Sequence, residues 1–144
     1  MKLVIQRVTQ AKVTVNNKII GQIKKGYLVL VGFKVEDTSE KITEMAKKLI
    51  NLRIMADKDK RMNLSLADTQ GELLLVSQFT LYADTSSRRP GFTKAAKPDI
   101  ANKFFQQFVK ECQKSNLKVE TGKFGAYMQV VLNNDGPVTI ILEN

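Results

Sequence analysis

Histidine is absent from all 144 residues, which removes both the usual general base and the commonest metal ligand. A Ser-His-Asp triad and a Cys-His nucleophile are therefore impossible. Cysteine occurs once, at Cys112, so no intramolecular disulfide can form and a zinc site has almost nothing to draw on. A reducing, cytoplasmic setting is the expectation. Long apolar runs are missing too. None approaches the roughly 20 residues needed to cross a bilayer, no lipidation motif stands at either end, and Met1 leads into alternating residues rather than an apolar signal core. These absences predict a soluble protein with no metal, no cofactor and no membrane partner. Any chemistry is left to carboxylates, hydroxyls, backbone groups or the substrate itself.

What is present suits one domain spanning residues 1–144. A chain of this length, 43% hydrophobic, can bury roughly 70% of its unfolded surface without covalent staples. Its 23 Lys and Arg against 14 Asp and Glu give a net charge of +9, which favours encounter with a polyanion such as nucleic acid. The basic residues come as scattered pairs, Lys24-Lys25, Lys47-Lys48 and Arg88-Arg89, so a plain solvated surface accounts for them equally well.

Strand-like alternation runs from Lys2 to Val8 and from Lys12 to Val15, and Asn16-Asn17 supplies hairpin-turn chemistry before a strand over Lys18 to Ile23. Tyr27 to Phe33 reads as a nearly all-apolar strand. Ile42, Met45, Ala46, Leu49 and Ile50 recur at helical spacing. A polar stretch from Asp57 to Gly71 precedes Leu73 to Gln78, whose apolar run predicts a buried strand. Asp84 to Pro98 lacks periodicity and is expected to be a surface loop. Pro98-Asp99 suits a helix start, after which Ala101, Phe104, Phe105, Phe108, Val109 and Cys112 share one face, making Cys112 a core residue. Val119 to Thr121, Phe124 to Asn133 and Val138 to Leu142 finish as strands, the last two joined at Asn133-Asn134-Asp135-Gly136-Pro137. The sum is a mostly β, α+β domain: a twisted or barrel-like sheet with two amphipathic helices.

Three segments could carry chemistry. Ser77-Gln78-Phe79-Thr80 ends an apolar strand, where backbone amides leave the ladder and could form an oxyanion hole; taken alone, a simple strand end with Ser and Thr capping the next turn is the favoured reading. Asn134-Asp135-Gly136-Pro137 has the composition of a hairpin turn. In Phe124-Gly125-Ala126-Tyr127-Met128, the small Gly125 and Ala126 could let a planar ligand approach Phe124 and Met128, an aromatic and a thioether suited to base stacking, though taken alone a core strand is the favoured reading.

These segments, in this order, resemble the D-aminoacyl-tRNA deacylase family. The matching stretches are Val4-Ile5-Gln6-Arg7-Val8, Leu28-Val29-Leu30-Val31-Gly32, Leu52-Arg53-Ile54, Ser77 through Asp84, Arg88-Arg89-Pro90-Gly91-Phe92, Thr121 through Ala126 with Met128, and Asn134 through Thr139. They cover nearly the whole chain. One departure is Gly91, where the family pattern has serine.

The resemblance implies a homodimer in which Gly136-Pro137 of one subunit, joined by a cis bond, reaches into the partner's pocket beside Ser77 to Thr80. A fixed carbonyl there would clash with an L side chain, whereas a D side chain would project outward and glycine would slip through. The resemblance further places the terminal adenine of an aminoacyl-tRNA near Phe124 and Met128, and the ester carbonyl near the amides of Phe79 and Thr80. Without histidine, the substrate's own 2′-hydroxyl is a plausible promoter of water attack; Thr80 as a covalent nucleophile is the rival. A basic RNA-binding module without catalysis and a general Ser or Thr esterase stand as alternatives.

Overall fold

The computed structural model describes residues 1–144. Alternating side chains carry β1 unbroken from Lys2 to Val15, one strand where the sequence suggested two. Asn16 and Asn17, both at positive φ (49° and 60°), then reverse the chain into β2 (Lys18–Ile23), the conformation that a two-residue hairpin demands and asparagine tolerates. One edge of β1 carries β2 along Ala11–Val15 and β3 (Gly26–Gly32) along Lys2–Val8. The other edge pairs with β8 (Gln129–Glu143) from Lys2 to Thr14. Beyond β3 the sheet continues in parallel through β6 (Glu72–Ser77) and β7 (Val119–Thr121). The result is a mostly-β, α+β fold with a barrel-like sheet.

The expected hairpin between Asn133 and Val138 does not form. Both halves lie in the single strand β8, because β1 is long enough to hold them both. The register slips instead: Gln6 faces Thr139 while Val8 faces Asn134, so residues 135–138 bulge out of the ladder.

Apolar residues of β1, β3 and β6 sort by parity onto two faces. Leu3, Ile5, Tyr27, Val29, Val31, Leu73 and Leu75 face the main core, and Val8, Leu28, Leu74 and Val76 face a second cluster inside the curl of the sheet. Burial on both faces is why β3 and β6 read as continuous hydrophobic runs. Helix α1 (Ser39–Ile50), capped by Thr38, and helix α3 (Pro98–Gln113), opened by Pro98, cover the main face. At about 1.5–3 kcal/mol per fully buried large apolar side chain, Ile42, Met45 and Leu49 hold α1 down with about 5–9 kcal/mol of gross burial energy. Close contact is demanded where β3 begins, since a Cβ on Gly26 would lie 1.9 Å from the Glu72 carbonyl oxygen.

The polar stretch from Asp57 to Gly71 is more structured than its composition suggests. It holds most of a small hairpin, β4 (Met55–Ala56) with β5 (Met62–Leu64), and the one-turn helix α2 (Leu66–Thr69), opened by a Ser65–Asp68 capping box.

Candidate active site

The end of β6 is where the chain stops using its amides for the sheet. Gln78 N makes the last ladder contact, to Val31 O at 2.8 Å, and Phe79–Tyr82 then close into a 3-10 turn with no side-chain cap. The first amides of any helical turn lack internal acceptors. Here those of Phe79 and Thr80 donate to no protein group, on a segment where both residues are exposed. Gln78 Nε2 donates to Thr80 Oγ1 at 2.5 Å, so the hydroxyl's hydrogen-bonding neighbour is an amide N–H, which cannot take up its proton. Ser77 is half-buried at the strand end.

Phe124 to Met128 form no strand. Gly125 sits at φ +71°, and the segment turns after β7 before β8 begins at Gln129. That turn lies beside β6, with Gly122 N bonded to Leu75 O at 2.9 Å. Met128 crosses Gly122 so closely that a Cβ there would meet its Sδ at 2.6 Å, and it packs on the cluster containing Val76, one residue before Ser77. Phe124 leans toward Phe105 of α3, ring centroids 6.2 Å apart, and remains half-buried.

The bulge in β8 is a built corner. Its peptide bond Gly136-Pro137 is cis, both residues are exposed, and Gly136 sits at φ +137°. Asn134 braces it from within, accepting from Val138 N at 2.8 Å and donating to Thr139 Oγ1 at 3.3 Å. Arg7 braces it from below. This buried guanidinium donates through Nε to Asp135 O at 3.0 Å and through Nη1 to Ile54 O at 2.8 Å, and pairs with Asp135 Oδ2 at 3.3 Å. Its role was not apparent from sequence, although a signal existed: in β1 an arginine occupies the inward register of Leu3 and Ile5.

A single chain does not bring the corner and the 3-10 turn together. The strand order β8-β1-β3-β6 puts three interstrand spacings between them, about 14 Å. The corner also sits level with Arg7, whereas Ser77 sits level with Leu3 and Val31, a further displacement of about 13 Å along the strands. A surface cavity of about 550 Å³ is lined by Lys2, Lys34, Leu81, Tyr82 and Lys94 among others, and by none of Ser77–Thr80, Phe124, Met128 or Gly136–Pro137. No group of three or more Cys, Asp or Glu side chains is placed to hold a metal ion.

The D-Tyr-tRNA(Tyr) deacylase family model matches residues 4–143, which include both the turn and the corner. The chain belongs to that family. Proteins called D-aminoacyl-tRNA deacylase from Thermosipho africanus and Clostridioides difficile are 55% and 52% identical to it, each alignment covering 100% of this chain and 97% of the relative. Among solved structures, one called c-Myc DNA Unwinding Element Binding Protein superposes with a TM-score of 0.94 at 43% identity, covering 100% of this chain and 99% of the other. Another, described as a probable eukaryotic D-amino acid tRNA deacylase, shares the fold, with a TM-score of 0.85 at 18% identity over 98% of this chain and 97% of its own.

Two further residues are explained within this family frame. Gly91 departs from the expected serine at no steric cost, because a Cβ there would meet only Asp84 Cβ, at 4.0 Å. Cys112 is buried on α3, and desolvation, helped by the nearby Glu111 charge, pushes its thiol up to about 12, so it is packed inert.

Proposed function

We propose that this chain hydrolyses the ester joining a D-amino acid to the terminal adenosine of tRNA, releasing free D-amino acid and tRNA. The observation that carries the reading is the uncapped 3-10 turn: two consecutive unbonded amides, Phe79 and Thr80, in a chain matched to a deacylase family almost end to end. In the proposed reaction these amides hold the carbonyl oxygen as it becomes an oxyanion. Water adds to the carbonyl carbon, the bond to the 3′-oxygen breaks, and the proton lost by the water ends on that oxygen. The substrate's 2′-hydroxyl assists the attack by position. Thr80 is not the nucleophile in this scheme, because Gln78 donates to its hydroxyl and no base is bonded to it. Phe124 and Met128, beside the end of β6, serve the adenine.

The working unit is proposed to be a homodimer. Strand β8 has β1 on one edge and no partner on the other, and it leaves Val131 and Ile141 exposed (52% and 64%), with Tyr127 at 90% just before it. A long open edge with apolar flanks is ordinarily covered. A second copy would also supply what one chain keeps apart, setting its Gly136–Pro137 corner beside Ser77–Thr80. A corner fixed there excludes an L side chain at Cα while leaving a D side chain free to project, and glycyl-tRNA would be hydrolysed as well. The single buried cysteine fits a cytoplasmic setting.

Nucleic-acid binding without catalysis is the second reading, favoured by the +9 charge and by the DNA-element binding for which the 43%-identical structure is named. Incubation with D-aminoacyl-tRNA separates the two. Release of free amino acid with turnover is expected; saturable binding with the ester left intact would reverse the assignment.

A further inference from the structure

The loop after the 3-10 turn is fastened at its base and free at its tip. Asp84 and Gly91 exchange both backbone hydrogen bonds, Asp84 N to Gly91 O at 2.8 Å and Gly91 N to Asp84 O at 2.9 Å. Inside, Ser86 N donates to Asp84 Oδ1 at 3.0 Å and Ser87 Oγ donates to Arg89 O at 2.7 Å. The loop's acid is thereby engaged at the base, where its carboxylate also faces Lys94 at 3.6 Å. At the tip, Arg88 and Arg89 are exposed and their guanidinium groups touch no acid and no hydrogen-bond acceptor.

A second observation ties the loop to the candidate active site. Phe92, directly after the closing bridge, packs edge-on against Phe79, ring centroids 5.0 Å apart at 66°, with both rings substantially exposed (39% and 54%). Phe79 is the first residue of the 3-10 turn. From the turn's other end, Ala83 N bonds back to Thr80 O at 3.0 Å, so the loop is attached to the turn at two points. Two unpaired guanidinium groups are thus carried at a set position relative to the unbonded amides.

Guanidinium groups recognise phosphate with two parallel hydrogen bonds, and these two have neither a burial cost nor a competing carboxylate to overcome. We propose that Arg88 and Arg89 clamp the phosphodiester backbone of the single-stranded acceptor end of tRNA, with the Phe79–Phe92 contact as the strut that sets the clamp against the reacting ester. This rests on the deacylase reading for its substrate. It assigns binding, not chemistry, to the loop: the terminal adenosine is held by its own site and the upstream phosphates by the arginines.

The test compares Arg88→Gln/Arg89→Gln with the unaltered chain on two substrates, D-aminoacyl-tRNA and D-aminoacyl-adenosine, which carries no phosphate. Both positions are exposed, so the fold is retained, as circular dichroism checks. The expected result is a KM for the tRNA raised about tenfold for each guanidinium lost, at nearly constant kcat, with turnover of the adenosine ester little altered. Binding of uncharged tRNA should weaken in parallel, and the salt slope of log K should fall by about 0.7 for each phosphate contact removed. An equal loss on both substrates, or unchanged tRNA binding, would overturn the clamp. If the unaltered chain hydrolyses neither ester, the deacylase reading fails, while the uncharged-tRNA measurement still decides whether the loop holds RNA.

Discussion

Replacing Arg7 with methionine keeps length and apolar stem but removes the guanidinium on which the Gly136–Pro137 corner rests. Two carbonyl oxygens then lose their donor: Ile54 O, bonded at 2.8 Å, and Asp135 O, bonded at 3.0 Å. Leaving a buried acceptor unpaired costs about 1–3 kcal/mol. The ion pair to Asp135 adds little, about 0–1 kcal/mol, because that carboxylate is 36% exposed and screened by solvent. Methionine returns part of the loss by sparing the desolvation of a charge and filling the space. The net destabilisation is about 2–4 kcal/mol, a fall in Tm of about 6–12 °C for a chain of this size. Urea and thermal unfolding measure it, and hydrolysis of L-aminoacyl-tRNA by the same variant reports whether the corner has moved. A destabilisation below about 0.5 kcal/mol with L esters still rejected would refute the anchoring role.

Gly136→Ala should cost about 1–3 kcal/mol in urea unfolding, since φ of +137° disfavours an L residue and the added Cβ would lie 2.7 Å from Val138 Cγ2 and 3.2 Å from Arg7 Nη2. Cys112, with its thiol pushed up to about 12, should resist iodoacetamide in the native protein at pH 8 and react once urea unfolds it; because the pKa is raised, lowering the pH only deepens the protection. Thr80→Ala should keep most activity, its backbone amide surviving, while a tRNA ending in 2′-deoxyadenosine should bind and turn over orders of magnitude more slowly. A dead Thr80→Ala enzyme with full turnover of the deoxy substrate would instead make Thr80 the nucleophile.

The elements that could be read from sequence were those whose local pattern and tertiary setting agree. Ile42 through Ile50 form a helix as their spacing predicts, extended to Ser39 by the Thr38 cap, and Leu73 through Val76 are buried because both faces of β6 are covered. Disagreement arose where a strong local preference met a stronger long-range partner. Asn134-Asp135-Gly136-Pro137 is turn chemistry, yet β1 pairs on both sides of it, and Arg7 and Asn134 satisfy the groups freed by the bulge. In Phe124 to Met128 the alternation of large and small residues imitates a strand, but Gly125 at positive φ makes it a turn. The hairpin and helix around Asp57 to Gly71 are too short for periodicity to register. Residue physics alone favoured a plain strand end at Ser77–Thr80, because free amides are a property of the fold; only the resemblance to a family pointed to a site there.

Chirality is where the proposed function is most exposed to test. One tRNA, charged in turn with the D and L forms of the same amino acid, should be deacylated with a D-over-L ratio in kcat/KM of about 10³ or more, the selectivity given by roughly 4 kcal/mol of clash at Cα. Comparable rates on the two forms would contradict steric rejection by the Gly136–Pro137 corner.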